Sequence, residues 1–587
     1  MTNRLTNIIA ISLLVFVFAM AVFSMRNDSL TMDELAHLPA GYSYLTQKDM
    51  RLNPEHPPLI KDLAAFPLLF IKNINFPSDS RFWQQDVNGQ WDFGNQFLFW
   101  SGNPAEEMIF WSRIAMIFVL LLLGLYIFKW ARELYGNKVA LLALFLFSFS
   151  PTLLAHGRLV TTDVGAALGI AVATYYFLKF LKESSKKNIL IAGLALGLAL
   201  LTKFSTILLL PFLGFLLFVW TFLNSQSLSQ FLKSFIILLL KFVLVLAIAG
   251  LVIWLVYYYH VFNYPPDRQA SDAEYILASN PLQSLRHLLP NLSYNPILRP
   301  LVQYLLGLVM VFQRGAGGNT TYFLGEVSNI AWKNYFPVVY LIKEPLAFFV
   351  LMIAGILAVA FLVKKPFYQD SWLRLKSWVK SYFAEFSFLA FIGLYWLVSL
   401  TGNLNIGVRH LLPIFPFMIL LVSLMTALWT KPPYLKAKMV FLGALLCWQA
   451  VSVINVYPSF LAYFNELAGG PSQGYVYVTD SNLDWGQDLK RLNQWLEKMK
   501  ISKIYVDYFG GSDPRFYLGD KYLHWWSARQ PLEMTETPYL AVSATFLQTE
   551  RGIPVKGFDQ PTGRYLWLDD YQSIAKAGYS IFVYKIK

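Results

Sequence analysis

Long apolar runs separated by short polar segments occupy most of the chain. A helix needs about 20 apolar residues to cross the hydrocarbon core of a bilayer, and most of these runs approach that length. The pattern predicts about eleven membrane spans, at residues 8–25, 108–130, 139–156, 162–181, 188–203, 205–223, 234–257, 345–363, 385–401, 408–430 and 438–457. The predicted fold class is therefore a polytopic α-helical membrane protein.

Lysine and arginine residues predict the orientation of these spans, because short cytoplasmic loops of membrane proteins collect them. With a cytoplasmic N-terminus, the cytoplasmic connections are 129–138, 182–187, the stretch around Lys233, 364–380 and 431–438, and each carries Lys or Arg. The first loop (26–107), the long loop (258–344) and the tail (458–587) then lie on the opposite side. We predict a multi-pass protein of the plasma (inner) membrane with an extracytoplasmic C-terminus.

The first span has an alternative interpretation as a cleaved signal peptide. Arg4 precedes it, and Ala19-Met20-Ala21 resembles a cleavage site. Its 18 apolar residues exceed the usual length of a signal-peptide core, which favours a retained span.

Two predicted outside segments have an organisation of their own. Residues 57–71 are apolar with scattered polar positions, a pattern typical of a helix lying along the membrane interface. The tail shows strand patterns at 475–479, 503–509, 539–544 and 580–586, and a helical pattern at 489–499. The chain therefore divides into a membrane module, 1–457, and a small C-terminal α/β domain, 458–587.

Composition agrees with this class and excludes others. Hydrophobic residues make up 56% and charged residues 14% of the 587 residues, whereas a soluble domain carries about 25% charged residues. The net charge of +13 belongs to the short loops, so it does not indicate a nucleic-acid partner. The single cysteine, Cys447, excludes an intrachain disulfide and a cysteine metal cluster.

Ionisable residues gather near the predicted outer ends of the spans. They are Asp33, Glu34 and His37, then Glu55, His56 and Lys61, then His156, Arg158 and Asp163, then Lys203, and finally Arg409 and His410. A single such residue is more often a helix end or a snorkelling side chain. Their gathering on one side predicts a cavity that holds both acidic and basic groups, since ionisable residues in spans are costly and by default functional.

This mixture of groups favours the transfer of a group from a lipid phosphate to a hydroxyl. A carboxylate accepts the proton of the hydroxyl, while basic residues receive the charge that develops on the phosphate. Nucleotide and zinc motifs of the types GxxxxGK[ST], GxGxxG and HExxH do not occur in the sequence. The segment 480–491 resembles a calcium loop, but Arg491 occupies the place of its closing glutamate.

The motifs together resemble glycosyltransferases of the GT-C fold that use lipid-phosphate sugars. "DE" after the first span and "NPEHPPLIK" (53–61) are similar to protein O-mannosyltransferases and bacterial aminoarabinose transferases. The same holds for "HGRLVTTDVGAALG" (156–169) and "LALLTKFS" (198–205). Further segments resemble the bacterial branch, namely "YFLGE" (322–326), "YFPVVYLIKEP" (335–345), "NIGVRHLLPIFPF" (405–417) and "YFNELAGG…DSNLDWGQDL" (463–489).

The resemblance implies a polyprenyl-phosphate sugar donor and inversion at the anomeric carbon. It implies that Asp33 is the catalytic base, that Glu34 supports it, that Asp163 is the second acidic residue, and that Lys203 contacts the donor phosphate. His56 stands where the aminoarabinose branch has a lysine, and resembles the His-Pro-Pro of the mannosyltransferases. Further candidates for binding the donor phosphate or another part of the substrates are Glu55, His56, Lys61, Arg158, Arg409 and His410. Arg409 and His410 are included because of their position at the predicted outer end of a span.

Several alternatives stay open at this stage. A lipid-linked sugar flippase is the alternative function, although groups clustered at one face favour an enzyme over a transporter that serves both faces. A non-catalytic scaffold does not explain so many polar groups at helix ends. The acceptor is a protein, a lipid or a glycan, no cofactor is certain, and a divalent metal ion is left open.

Overall fold

The computed structural model describes residues 2–362 and 370–586, which form mostly α-helices. In chain order these are α1 Asn3–Ser24, α2 Met32–Gln47, α3 Leu59–Ala65, α4 Arg81–Gln84, α5 Gln90–Asn95, α6 Ala105–Tyr135, α7 Asn137–Ser148, α8 Pro151–His156, α9 Asp163–Lys182, α10 Lys186–Leu200, α11 Leu209–Asn224, α12 Leu228–His260, α13 Pro266–Leu277, α14 Gln283–Leu292, α15 Arg299–Gly317, α16 Tyr335–Lys343, α17 Leu346–Leu362, α18 Ser371–Ser381, α19 Phe383–Thr401, α20 Phe415–Trp429, α21 Leu435–Ile454, α22 Leu489–Met499, α23 Pro514–Leu518 and α24 Ala544–Arg551. Short 3₁₀ helices precede α11 (Phe204–Leu208) and α20 (Val408–Ile414) and occur at Asp480–Asn482. Residue 363 and residues 364–369, where the predicted span 345–363 ends and the predicted loop 364–380 begins, lie outside the described residues.

The described residues contain eight helical segments that are long and apolar enough to cross a membrane. The bent pair of α16 and α17, with 106° between them, brings the number to nine if it is a single broken span. The other two predicted spans, 139–156 and 188–203, contain α7 with 12 residues and α10 with 15. At about 1.5 Å per residue these helices are shorter than the roughly 30 Å hydrocarbon core, so eleven spans stays a prediction. The protein is an integral membrane protein.

Burial separates central spans from peripheral ones. In α9 and in the Val408–Trp429 segment, 72% of the apolar window is buried inside the protein, against 17% in α21 and 22% in α12. A helix apolar all round and buried on most sides belongs to the centre of a bundle. These two central spans begin at Asp163 and beside Arg409, so the most enclosed part of the bundle carries two predicted site residues at one end.

Strands occur in two small sheets. The eight strands are β1 Thr321–Phe323, β2 Glu326–Ser328, β3 Ile504–Asp507, β4 Tyr522–His524, β5 Tyr539–Ser543, β6 Ile553–Pro554, β7 Ala575–Ala577 and β8 Ile581–Lys585. The five-stranded sheet has the order β4-β3-β5-β8-β7, with β3 parallel to β4 and β5, and β8 antiparallel to β5 and β7. Leu489, Leu492 and Leu496 of α22 pack against this sheet, as expected for an amphipathic helix. The C-terminal residues therefore form a small α/β domain.

The second sheet joins the tail to the long loop. Its order is β1-β2-β6, where the β1–β2 hairpin comes from the long loop and β6 comes from the tail. The predicted strand at 475–479 is wrong, because Gly474–Val476 is a 3₁₀ turn and only Val478 forms a bridge, to Phe323. The segment lies beside the β1–β2 hairpin. Because each strand of that hairpin has only three residues, a longer strand cannot pair with it along its whole length.

The predicted helix at 57–71 is present as α3 followed by the 3₁₀ turn Phe66–Phe70. Phe66 and Phe70 expose 54% and 74% of their surface, which fits a segment whose apolar side chains meet lipid headgroups. Its place in the interface stays a prediction.

Candidate active site

A cavity of about 500 Å³ lies where the membrane module meets the tail. Its polar lining includes Asp33, Glu55, His56, Lys203, Arg409 and His410, six of the ten predicted site residues. Other parts of its wall are apolar. Leu208 and Val398 belong to segments that are apolar enough to cross a membrane, and Val311 belongs to α15. A mostly preformed concave site with a few convergent polar groups is typical of a small-molecule or cofactor site.

Four of the predicted residues form a continuous row of ion pairs beside the cavity. Asp33 lies 2.6 Å from Arg409, Arg409 lies 3.4 Å from Asp163, and Asp163 lies 2.5 Å from Lys203. We call Asp33, Arg409, Asp163 and Lys203 the ion-pair row. Both carboxylates lie in the first turn of a helix, α2 and α9, where the helix dipole stabilises a negative charge. The row holds two positive and two negative charges, so its net charge is zero.

Asp33 is the carboxylate of the row that reaches the cavity most openly, with 22% of its side chain exposed against 1% for Asp163. Burial raises the pKa of the Asp33 carboxyl, but the Arg409 guanidinium outweighs this and holds the pKa below its usual value. The side chain is therefore ionised at neutral pH and able to accept a proton.

Glu34 points away from the cavity into the protein core. Its carboxylate accepts hydrogen bonds from Nε and Nη2 of Arg113, at 2.8 and 2.6 Å, and from the backbone N–H groups of Thr31 and Val160, at 2.8 and 3.0 Å. Successive helical side chains point about 100° apart, so Asp33 and Glu34 face different surroundings. Glu34 thus fixes the first turn of α2, and with it the direction of Asp33.

The loop at 53–56 forms another part of the wall, and Lys61 holds it in place. The Lys61 ammonium is fully buried and donates to Tyr44 Oη, Asn53 O, Asn53 Oδ1 and His56 O at 2.8–2.9 Å. Glu55 and His56 line the cavity, whereas Lys61 does not. The structure thus places Lys61 behind the wall, with its acceptors supplied by the protein.

His37 and His56 lie edge to face with their ring centroids 5.1 Å apart. His37 Nδ1 bonds the carbonyl of Val160 at 2.9 Å. Burial lowers the pKa of both imidazoles, that of His56 well below its ordinary value, with His37 and Lys61 adding to the effect for His56. Both rings are therefore neutral at physiological pH and act as hydrogen-bonding groups rather than as cations.

Arg158 also lies outside the cavity lining. It is buried and lies 2.5 Å from Asp28, which is bound from the other side by Arg491 of the tail at 2.7 Å. Arg491 pairs in turn with Asp488. This arrangement ties the segment before α2 to helix α22 of the tail.

The tail supplies cavity residues that the sequence did not predict. Asp480 and Trp485 line the cavity, and the Arg409 guanidinium lies over the Trp485 ring at 4.3 Å. The segment around them pairs with the residues before Asp33, through Ser29 N–H to Gln487 O at 2.9 Å and Met32 N–H to Trp485 O at 3.0 Å. The motif "DSNLDWGQDL" marks this segment in the sequence because it resembles the bacterial branch. A sequence motif does not show, however, which distant residues lie beside it in the fold.

One protein family matches part of the chain. Residues 101–260 match the family of dolichyl-phosphate-mannose-protein mannosyltransferases. This match confirms the predicted resemblance to the protein O-mannosyltransferase group over that segment, which contains Arg113, Arg158, Asp163 and Lys203. No curated protein sequence matches the chain.

Three solved structures match the chain at low sequence identity and with low TM-scores. The S. cerevisiae protein O-mannosyltransferase Pmt1–Pmt2 complex, bound to the sugar donor, is 20% identical with a TM-score of 0.34, and the alignment covers 45% of this chain and 34% of that one. This chain thus spans about a third of that relative. The archaeal oligosaccharyltransferase AglB from Archaeoglobus fulgidus, in complex with an inhibitory peptide and a dolichol-phosphate, is 12% identical with a TM-score of 0.46 over 98% of this chain and 74% of that one. ArnT from Cupriavidus metallidurans, bound to undecaprenyl phosphate, is 13% identical with a TM-score of 0.32 over 100% of this chain and 98% of that one.

The chemical capacity of the site lies in its proton acceptor and its cations. Residues 2–362 and 370–586 contain no group of three or more His, Cys, Asp or Glu side chains placed to hold a metal ion, and a metal requirement stays open. The cavity instead offers an ionised carboxylate beside Arg409 and Lys203. This set can accept a proton at one point and receive negative charge at another.

Proposed function

We propose that this protein transfers a sugar from a polyprenyl-phosphate donor to an acceptor hydroxyl at the outer face of the membrane, with inversion at the anomeric carbon. The ion-pair row of Asp33, Arg409, Asp163 and Lys203 beside a cavity with polar and apolar walls is the observation that carries the proposal. The family match of residues 101–260 supports it.

In the proposed reaction Asp33 is the base. Its carboxylate accepts the proton of the acceptor hydroxyl while the acceptor oxygen forms a bond to the anomeric carbon. The bond between that carbon and the phosphate oxygen breaks, and the polyprenyl phosphate leaves with the bonding electrons. A single displacement of this kind inverts the configuration of the anomeric carbon.

The cations of the row stabilise the leaving group. Arg409 and Lys203 line the cavity, and the phosphate gains negative charge as the bond to the sugar breaks. Asp163, which lies between them and is almost fully buried, holds both cations in position through its ion pairs. A guanidinium binds phosphate in a planar fork, whereas an ammonium acts as a point charge.

The remaining predicted residues have supporting places in this scheme. Glu34, bound by Arg113, orients α2 so that Asp33 faces the cavity. Glu55, His56 and His410 line the cavity and are proposed to contact the donor, while Lys61 fixes the loop that carries Glu55 and His56. Arg158 lies too far inside the protein wall to line the cavity, and its proposed role is to hold the segment before α2.

The hydrophobic part of the donor fits the apolar part of the cavity wall. Leu208 and Val398 lie at the cavity ends of α11 and α19, and Val311 lies on α15. Since α11 and α19 belong to predicted spans, a polyprenyl chain that starts between these residues continues into lipid.

The test uses purified full-length protein in proteoliposomes with a radiolabelled polyprenyl-phosphate hexose and a panel of hydroxyl acceptors. The proposal expects labelled product whose new bond has the opposite anomeric configuration to the donor. A product with retained configuration contradicts the single displacement. Movement of the donor between leaflets with no transferred sugar favours the alternative, a flippase.

A further inference from the structure

Asp480 is a cavity-lining carboxylate that the proposed reaction does not use. It begins the 3₁₀ turn Asp480–Asn482 of the tail, and it forms no ion pair within 4 Å among the residues that the structure describes. One carboxylate oxygen accepts a hydrogen bond from the Ser481 N–H, and the other has no hydrogen-bond partner among those residues. Asp480 is half-buried at the wall of the cavity, so the second oxygen is available to a ligand there.

The backbone at Asp480 is held in a conformation that few residues adopt. Its φ is +54°, in the left-handed region, which side-chain-bearing residues seldom enter. Surrounding groups hold it there, because its N–H donates to Thr545 Oγ1 at 3.1 Å and its carbonyl accepts from the N–H groups of Leu483 and Asp484 at 2.8 Å. Such conformations persist where neighbouring contacts determine them, and they cluster at functional sites.

Asp480 lines the same cavity as the proposed base, Asp33, and is close enough for the two charges to interact. Its neighbour Ser481 accepts a hydrogen bond from Arg409 Nε at 3.1 Å, while Arg409 Nη1 donates to Asp33 at 2.6 Å. Asp33 and Ser481, the residue that follows Asp480, therefore contact the same guanidinium. Trp91 and Phe509 line the cavity as well, and Trp91 has 37% of its surface exposed.

These positions separate the two substrates of the proposed reaction. A donor phosphate is repelled by an unpaired carboxylate, so Asp480 is unsuited to the leaving group. The acceptor hydroxyl must lie beside Asp33, and Asp480, in the lining of the same cavity, is available to a second hydroxyl of that acceptor. Carboxylates accept hydrogen bonds from hydroxyl groups in charge-assisted contacts, and aromatic rings beside them supply apolar contact.

We infer that Asp480 binds the acceptor, so that the tail supplies part of the acceptor site, and that this acceptor presents several neutral hydroxyl groups in the manner of a sugar. The inference rests on the proposed function. An anionic acceptor group is disfavoured at this place, since Asp33, Glu55 and Asp480 all line the cavity.

The experiment compares purified full-length wild-type protein with Asp480→Asn and with the control Asp520→Asn, a substitution at an exposed position on the same tail. A radiolabelled polyprenyl-phosphate hexose is the donor, and an alkyl glucoside and a serine-containing peptide are the acceptor probes. The inference expects transfer to the glucoside, with a KM for the glucoside about ten-fold or more higher in Asp480→Asn and a donor KM within about two-fold of wild type. Asp520→Asn behaves as wild type.

The pH dependence supplies a readout that a merely structural role does not move. Burial raises the pKa of the Asp480 carboxyl to about 6. The protonated carboxyl is a weaker acceptor, so the wild-type KM for the glucoside rises as the pH falls through about 6, whereas that of Asp480→Asn stays level over the same range.

Four results separate the claims. No transfer and no donor hydrolysis by wild-type protein contradicts the proposed function, and the inference falls with it. Transfer by wild type with an unchanged glucoside KM in Asp480→Asn overturns the inference alone. Transfer to the peptide only, or a donor KM that rises together with the acceptor KM, also overturns it.

Discussion

The Arg409 guanidinium donates to the Asp33 carboxylate at 2.6 Å and lies 3.4 Å from Asp163. One cation thus joins two acidic residues that lie in the first turns of different helices, α2 and α9. Arg409 is held in turn by Ser481 Oγ and by the face of Trp485, both from the tail. The proposed base, its counterion and the tail therefore form one connected unit.

Removal of this cation is expected to change both the rate and its pH dependence. Because Arg409 lowers the pKa of Asp33, Arg409→Gln raises that pKa. A base acts in its ionised form, so the acidic limb of the pH profile of kcat/KM moves to higher pH. The rate itself falls about 10²–10³-fold if Arg409 also receives phosphate charge. Arg409→Lys is the matched variant, and its acidic limb should lie closer to that of the wild type because the positive charge remains. If the acidic limb of Arg409→Gln lies where that of the wild type does, the pairing of Arg409 with Asp33 is contradicted.

The Glu34–Arg113 pair is expected to contribute to stability rather than to substrate binding. Glu34→Ala leaves the Arg113 guanidinium buried without its partner, which costs about 3–5 kcal/mol. Burial raises the pKa of Glu34, but Arg113 and its other donors lower it overall, so this stability is present at neutral pH and is lost as the pH falls through the lowered pKa.

Thermal unfolding in detergent measures this difference, with Glu536→Ala as a control. Glu536 forms an exposed ion pair with Lys503, and such pairs contribute about 0–1 kcal/mol. Equal unfolding temperatures for Glu34→Ala and Glu536→Ala are incompatible with a structural role of the buried pair.

Lys61 offers a test between a contact to the donor and a role in holding the wall. Lys61→Met leaves the carbonyls of Asn53 and His56 without their buried donor, which costs about 1–3 kcal/mol each. We expect a less stable protein with lower kcat/KM, and no rescue by Lys61→Arg because the acceptors surround a compact ammonium. Unchanged stability together with a higher donor KM points instead to direct donor binding.

The predicted topology can be tested by labelling. In a background of Cys447→Ser, Leu532→Cys places a thiol on the tail at a position that is 94% exposed. A membrane-impermeant maleimide is expected to label it in intact cells, because positive-inside loops place the tail outside. Lys187→Cys, in a predicted cytoplasmic loop, should react only after permeabilisation. The reverse pattern contradicts the orientation and the proposed outer-face reaction.

The apolar pattern predicted most helices because every backbone polar group in lipid must be satisfied within its own segment. Helix 489–499 and strands β3, β5 and β8 also follow from local periodicity. The strand predicted at 475–479 is wrong. An alternating pattern of side chains favours an extended strand, but a strand also needs a neighbouring strand to pair with, and this segment has only the single bridge of Val478 to Phe323. The hairpin β1–β2 escaped prediction for a related reason, as its strands have three residues each and gain their third strand from the tail.

The site was predictable as a set of residues but not as a geometry. Asp33, Asp163, Lys203 and Arg409 were each predicted, yet Arg409 and Asp33 are 376 positions apart, and no local pattern shows that they pair. Helix geometry separates the neighbours Asp33 and Glu34, one facing the cavity and the other Arg113. Asp480 and Trp485 were not predicted because their contribution depends on how the tail folds back onto α2.

The role of Asp33 is tested most directly by one substitution and two measurements. Asp33→Asn keeps the size of the side chain and removes its ability to accept the acceptor proton, so transfer from a radiolabelled polyprenyl-phosphate hexose should fall by at least about 10²-fold. Binding of the labelled donor should stay within a few-fold of wild type, since the cations that face the phosphate remain. Transfer at the wild-type rate by Asp33→Asn would contradict the assignment of Asp33 as the base.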